Sequence, residues 1–323
     1  MSHSTAPSCT PSKTWLELDW RRFGPEAIQQ EKLDFQGASD YCRDLALSHY
    51  ENFSVASCLV PKFFRRHLFH VYAFCRWSDD LADESGSSTQ AIERLAWWQQ
   101  ELDGCFHGET IHPVMIALRS TIETFNLSKV PFDDLLSAFR QDQIVVRYLT
   151  DAQLLDYCRR SANPVGRILL QMAGVDSQKC IRWSDQICTG LQLANFCQDM
   201  GRDSKRNRIY FPHSRWESNH ITEAMILRGK CEPELQRAML DWLIEIREPF
   251  YDGWQLTEHV PAWLARDIRL FAGGGLAILS RIHTCQGDVW SQRIEVRRRD
   301  KLFLFLRAIL SKQPPRRYTD DES

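Results

Sequence analysis

The sequence predicts an all-α protein, and three observations carry that expectation. Helix-period spacing of apolar residues begins near Pro25 and continues with few breaks. Pro and Gly fall between the periodic segments, as at Gly86, Gly104, Gly108, Pro113, Pro131, Pro164 and Pro212, where they read as helix punctuation. No stretch alternates apolar and polar residues convincingly, and no Asn-Gly hairpin signal occurs. The Gly-rich nucleotide loops GxGxxG and GxxxxGKS or GxxxxGKT are also absent, which argues against Rossmann and P-loop activities.

Composition bounds the function. A chain of 323 residues, 43% hydrophobic and 25% charged, has ample material for a core and could form one large or two ordinary domains. A formal net charge of −2 speaks against a nucleic-acid partner, because a general polyanion binder carries a marked basic excess. The eleven cysteines are odd in number and form no CxxC pair, so they are expected to be free thiols in a reducing cytoplasm. The first fourteen residues, MSHSTAPSCTPSKT, have no apolar centre of the kind a secretory signal needs. No apolar run reaches the length of a membrane span. Residues 1–24 are expected to be a flexible leader ending in a Trp-rich stretch, 25–311 the helical domain and 312–323 a flexible tail.

The chemistry concentrates in QLANFCQDMGRD, residues 192–203. On a helix, with about 100° of rotation per residue, Gln192, Asn195, Asp199 and Asp203 fall on one polar stripe, flanked by Leu191, Leu193, Ala194, Phe196 and Met200. Two carboxylates one turn apart on an otherwise apolar helix repel each other unless a cation lies between them. Mg2+ suits that role, since it takes one or two carboxylates and completes its shell with water and substrate phosphates. The pattern occurs twice. In VYAFCRWSDDLADE, Tyr72, Arg76, Asp79, Asp80 and Asp83 again share a stripe about 100° wide, with Phe74 and Leu81 pointing elsewhere.

Asp79 and Asp83, followed by Gln192, Asn195, Asp199 and Asp203, resemble the motifs of the squalene and phytoene synthase family of head-to-head prenyl transferases. The likeness runs in order from about residue 50 to about residue 301. It implies a single-domain isoprenoid synthase bundle with a central cavity. It further implies two or three Mg2+ ions on Asp79, Asp83, Asn195, Asp199 and Asp203, a prenyl diphosphate substrate and no NADPH. By the same resemblance Glu51, Asn52, Phe53 and Ser54 line the diphosphate and first prenyl pocket. Tyr72, Arg76, Gln192, Tyr210 and Arg293 bind substrate, and Tyr157 faces the reacting centre. Asp142 is either a solvated residue or a carboxylate near the cavity.

ENFSVAS, together with Gln198 where condensing members often carry Arg, resembles the hopanoid-pathway branch that makes hydroxysqualene. That implies ionisation of presqualene diphosphate and capture of the rearranged cation by water. Three rivals stay open: a condensing synthase making squalene, presqualene diphosphate or phytoene; a class I terpene cyclase, whose NSE-type triad this chain lacks; and a non-catalytic scaffold, which would be expected to have lost aspartates. A pathway partner supplying presqualene diphosphate fits the first reading.

Four shorter expectations complete the list. YCRRSANPVGRILL, residues 157–170, should form a helix kinked near Pro164 whose small residues either open space for a ligand chain or pack closely. Arg202, Lys205, Arg206 and Arg208 form either a solvated loop or a flexible lid over a departing diphosphate. Phe53, Phe74, Tyr72, Phe196 and Phe271 are candidates to line an apolar cavity, with core packing the default for each. VRRRDKLFLFLRAILSK either rests on anionic lipid, at the inner membrane face, or is an ordinary terminal core helix.

Overall fold

The computed structural model describes residues 19–27, 31–49, 60–291, 294–295 and 298–315. It is all-α: among these residues the only β feature is an isolated bridge, Arg147 with Ile209. The helices are α1 (Phe35–His49), α2 (Lys62–Asp83), α3 (Ser88–His107), α4 (Pro113–Phe125), α5 (Val130–Gln141), α6 (Asp151–Ser161), α7 (Asn163–Met172) and α8 (Gln178–Asp203). After a 3-10 turn (Ser204–Arg206) come α9 (His213–Ser218), α10 (Glu223–Leu227), α11 (Pro233–Gly253), a second 3-10 turn (Trp254–Glu258), α12 (Ala262–Thr284) and α13 (Arg298–Leu310). Two compact units emerge, one of residues 1–49 and 66–122, the other of 50–65 and 123–323.

The first unit is built around tryptophan. Trp77 and Trp98 are fully buried and stack with centroids 5.4 Å apart, and Phe74 stacks on Trp98. Phe74 is therefore core. Each buried indole N–H finds an acceptor: Trp98 donates to Ser78 Oγ (3.0 Å) and Trp77 to Tyr41 Oη (2.9 Å), whose own hydroxyl donates to Asp19 Oδ2 (2.8 Å). Asp19, with Trp20 edge-on to Trp97, shows that order begins inside the stretch expected to be a leader. Helix α3 has a complete pair of ends, a Ser87 side chain accepting from Gln90 N–H and Gly108 in the left-handed region at φ 90°.

Three buried histidines sit in this unit. Thr121 Oγ1 lies 2.9 Å from His67 Nδ1 and 2.8 Å from His70 Nδ1, while His70 Nε2 meets Ser39 Oγ at 2.9 Å. A hydroxyl has one hydrogen, so at most one imidazole accepts from Thr121 and at least one donates to it. Burial depresses both, His67 to about 4 and His70 to about 3. His112 is boxed by Trp77, Trp98, Trp97 and Phe23, and burial depresses it to about 3.

In the second unit α8 is the central helix, packed by α7, α11 and α12. The expected kink at Pro164 is instead a break. Ala162 separates α6 from α7, with Pro164 in the first turn of α7, where its missing N–H costs nothing. Gly166 opens no space: a Cβ there would lie 2.3 Å from Ser184 Oγ and 2.7 Å from Cys188 Sγ, so its smallness brings α7 onto α8. The Gly273–Gly275 run lies in unbroken α12, with Gly275 against Phe250 and Leu191. The described cysteines are all free thiols. No described helix is long and apolar enough to cross a membrane.

The His112 pKa makes a signed prediction. Its folded value lies below the unfolded imidazole value, so its contribution is present above about pH 6.5 and is lost as pH falls toward about 3. Urea denaturation at pH 7.5 and pH 5 should show the native protein losing about 2 kcal/mol more than His112→Leu over that interval. Parallel losses would mean that the ring protonates freely in the folded state.

Candidate active site

The stripe on α8 forms as the spacing predicts. Leu193, Ala194, Phe196, Cys197, Met200 and Gly201 are buried, whereas Asn195 is exposed and Gln192, Asp199 and Asp203 are half-exposed. The buried faces hold the helix, and the polar residues project from the face left free. Burial and the neighbouring Asp199 carboxylate push Asp203 up to about 6, against the opposing pull of Arg206, Arg208 and Arg202. Arg202 pairs with Asp199 at 3.2 Å.

On α2 the acidic stripe divides. Asp79 keeps half its side-chain surface and Asp83 is exposed, but Asp80 turns inward and is buried. Arg76, expected to meet a diphosphate, is committed to Asp80 through Nε–Oδ2 (2.8 Å) and a second contact, Nη2 to Oδ1. Its Nη1 reaches Asp79 Oδ2 at 3.7 Å. Arg76 therefore props the acidic turn from behind, and Asp79 and Asp83 form the outward pair. Burial and the Asp83 charge raise Asp79 to about 6. Tyr72 is half-buried on the same helix.

Both pairs suit Mg2+ on donor chemistry. They offer hard oxygens one turn apart and partly open to water, and in each pair one carboxyl, Asp79 or Asp203, is raised by burial and by its neighbour's charge. Among the described residues no three His, Cys, Asp or Glu side chains close into a cage, so an ion here would draw further oxygens from water and ligand.

Beside α8 lies an aromatic cluster that gathers three expected residues. Tyr210 stacks on Phe196 with centroids 3.9 Å apart and planes 7° apart, and on Tyr148 at 5.7 Å. Tyr157 is buried with its ring 6.1 Å from both Phe196 and Tyr210. Its hydroxyl donates to Asp142 Oδ2 at 2.7 Å, and burial with that carboxylate raises the phenol well above its ordinary range. Asp142 is thus no solvated surface residue. Phe271 is exposed on α12. Glu51, Asn52, Phe53, Ser54 and Arg293 lie outside the described residues.

Three features escaped the sequence reading. Gln198 does more than remove a positive charge, since its Nε2 donates to Ile294 O at 2.7 Å. Gly201, inside the motif, is small because a Cβ would meet Val289 O at 2.6 Å and Trp290 Cα at 3.1 Å. The basic stretch after Asp203 is a held turn, not a flexible lid. Asn207 adopts φ 58°, Arg208 N–H donates to Asp203 O (2.9 Å), and Ile209 N–H donates to Val146 O (3.0 Å). Arg147 closes it, donating to Asn207 O (2.5 Å), Asn207 Oδ1 (2.6 Å), Glu223 Oε1 (2.6 Å) and Val146 O (2.8 Å).

The comparisons agree with this geometry. The crystal structure of squalene synthase HpnC from Alicyclobacillus acidocaldarius superposes with a TM-score of 0.75 at 40% identity, covering 78% of this chain and 95% of that one. The fold is thus the helical isoprenoid synthase fold. A family model described as squalene/phytoene synthase matches residues 47–300. Hydroxysqualene synthase from Rhodopseudomonas palustris is 38% identical over 212 residues, 65% of this chain and 71% of that protein. Phytoene synthase from Arthrospira platensis is 31% identical over 274 residues, 80% and 87% of the two chains. The chain belongs to the squalene/phytoene synthase family.

Arg147 carries a prediction of its own. In Arg147→Ala the turn loses its bracket, and limited trypsin digestion should cut after Lys205, Arg206 or Arg208 at least tenfold faster than in the native protein. An unchanged cleavage rate would show that the backbone contacts alone hold the turn.

Proposed function

We propose that the protein converts presqualene diphosphate and water to hydroxysqualene and pyrophosphate, with Mg2+ and without NADPH. The observation that carries the reading is the pair of half-exposed carboxylate stripes, Asp79 with Asp83 and Asp199 with Asp203, each on a helix otherwise committed to burial. Bound Mg2+ would neutralise the diphosphate and make it a competent leaving group. Asn195 adds an amide oxygen to the second stripe, and Gln192, one turn earlier, adds hydrogen-bonding capacity toward the substrate.

The Tyr157–Asp142 pair supports the water-capture step. With its hydrogen given to Asp142, the Tyr157 oxygen is oriented to accept from a water, and the carboxylate behind it favours proton loss as that water bonds to the cation. Carbon–oxygen cleavage releases pyrophosphate, the water oxygen forms the new carbon–oxygen bond, and one proton is released. The electron-rich faces of Tyr157, Tyr210 and Phe196 suit a carbocation neighbour.

Identity favours this product, since the hydroxysqualene synthase match is 38% identical against 31% for the phytoene synthase. The phytoene synthase match spans more of the chain, which keeps the condensing reaction as the second reading. Purified protein with Mg2+ and presqualene diphosphate, without NADPH, is expected to yield hydroxysqualene by mass spectrometry. A C30 or C40 hydrocarbon or presqualene diphosphate from farnesyl or geranylgeranyl diphosphate would establish condensation instead. Silence with every substrate would overturn both.

Metal binding is testable without turnover. Mg2+ should raise the melting temperature of the native protein through binding to the folded state. Asp203→Asn, which removes one of two repelling charges, should melt higher than the native protein in EDTA and gain less from Mg2+. Equal Mg2+ increments in the two proteins would remove Asp203 from the metal ligands.

A further inference from the structure

The last helix, α13, is fastened to the protein on one side only. At its start Arg281 Nη1 pairs with Asp300 Oδ2 at 2.8 Å. Just past its end, Arg269 Nη1 donates to Ser311 O (3.2 Å) and Trp254 Nε1 to Lys312 O (2.8 Å). Between these anchors Ala308 is buried, and Leu304 comes within 3.4 Å of where a Cβ on Gly273 would stand. The other side is apolar and open. Leu302, Phe303, Leu306, Ile309 and Leu310 recur at the spacing of one helical stripe, with exposures from 40% at Ile309 to 80% at Leu310. Among the described residues this is the densest run of exposed large apolar side chains. Isolated exposed leucines need no explanation, but five within nine residues on one face do.

The charge of the sequence that carries this face selects its occupant. From 297 to 312 the sequence carries six Lys or Arg and one acid, Asp300, which is already paired with Arg281, in a chain whose overall charge is −2. Two copies meeting through this stripe would bring two basic helices together. An anionic bilayer surface offers both an apolar layer for the leucines and phenylalanine and negative headgroups for the cations. Thirteen residues are too few to span the hydrocarbon, so the helix would lie in the surface plane.

We propose that α13 docks the protein on an anionic lipid surface through Leu302, Phe303, Leu306, Ile309 and Leu310. The inference gains from the proposed function, since a C30 diphosphate and its alcohol product both partition into lipid, but the binding test below uses no substrate. The full chain is sedimented with sucrose-loaded vesicles of phosphatidylcholine alone or with about 30% phosphatidylglycerol, at low and high salt. Binding should be at least tenfold tighter to the phosphatidylglycerol vesicles and should weaken as salt rises.

Leu302→Glu/Phe303→Glu/Leu306→Glu should lose that binding tenfold or more, while its melting temperature and its turnover of detergent-dispersed substrate stay near native. Phe303→Ser alone gives a milder variant if the triple variant misfolds, with partial loss expected. Equal binding to both vesicle types, no binding by the native protein, or native binding by a folded variant would overturn the proposal. So would a native dimer in sedimentation velocity that the triple variant dissociates, because the occupant would then be a second copy. Vesicle binding by a protein inactive on every prenyl diphosphate would sink the functional reading and leave the docking surface standing.

Discussion

Like charges one turn apart on a helix are the constraint on which the rest of this structure depends. Asp79 with Asp83, and Asp199 with Asp203, gain nothing from each other, and burial of the helices that carry them makes the repulsion harder to screen. Such helices persist because their other faces are tied down. Trp77 and Phe74 serve α2 in this way, and Phe196, Met200 and the close approach at Gly201 serve α8. Stability is supplied by the apolar faces and spent on keeping carboxylates near water, a conflict between local chemistry and packing that is expected at functional sites.

The supporting residues around the two stripes differ in kind. On α2 the support is electrostatic: Arg76 neutralises the buried Asp80 and leaves Asp79 and Asp83 outward. On α8 it is steric and backbone-directed, through Gln198 to Ile294 O, Gly201 against Val289 and Trp290, and the turn closed by Arg147. The oxygens that would face a metal lie beside these supports, Asp79 Oδ2 standing 3.7 Å from Arg76 Nη1. Each support restricts how far the helix can shift when those oxygens take up a ligand.

Much of this was legible in the sequence, and the part that was not has a common cause. Periodicity exposes the faces of a helix, so the all-α fold, the α8 stripe and the outward pair on α2 could be read from spacing. Tyr157 and Tyr210 came from motif resemblance, and the structure brings them together around Phe196. Asp80 was misplaced because a stripe about 100° wide includes residues at its edge that turn inward. The held turn, the Gln198 contact and the break at Ala162 depend on partners or backbone angles that local pattern does not encode. Arg147 and Asn207 are separated by 60 positions, and Gln198 and Ile294 by 96.

Those two separations give the second acidic motif an order of assembly. During synthesis Arg147 and Val146 leave the ribosome well before Asn207 and Ile209, so the turn that follows Asp203 can close on chain already present. The wall behind Gly201 cannot form until Val289 and Trp290 emerge, long after the last carboxylate has been made. A nascent chain therefore holds every acidic residue of the motif before the residues that back its helix have been made.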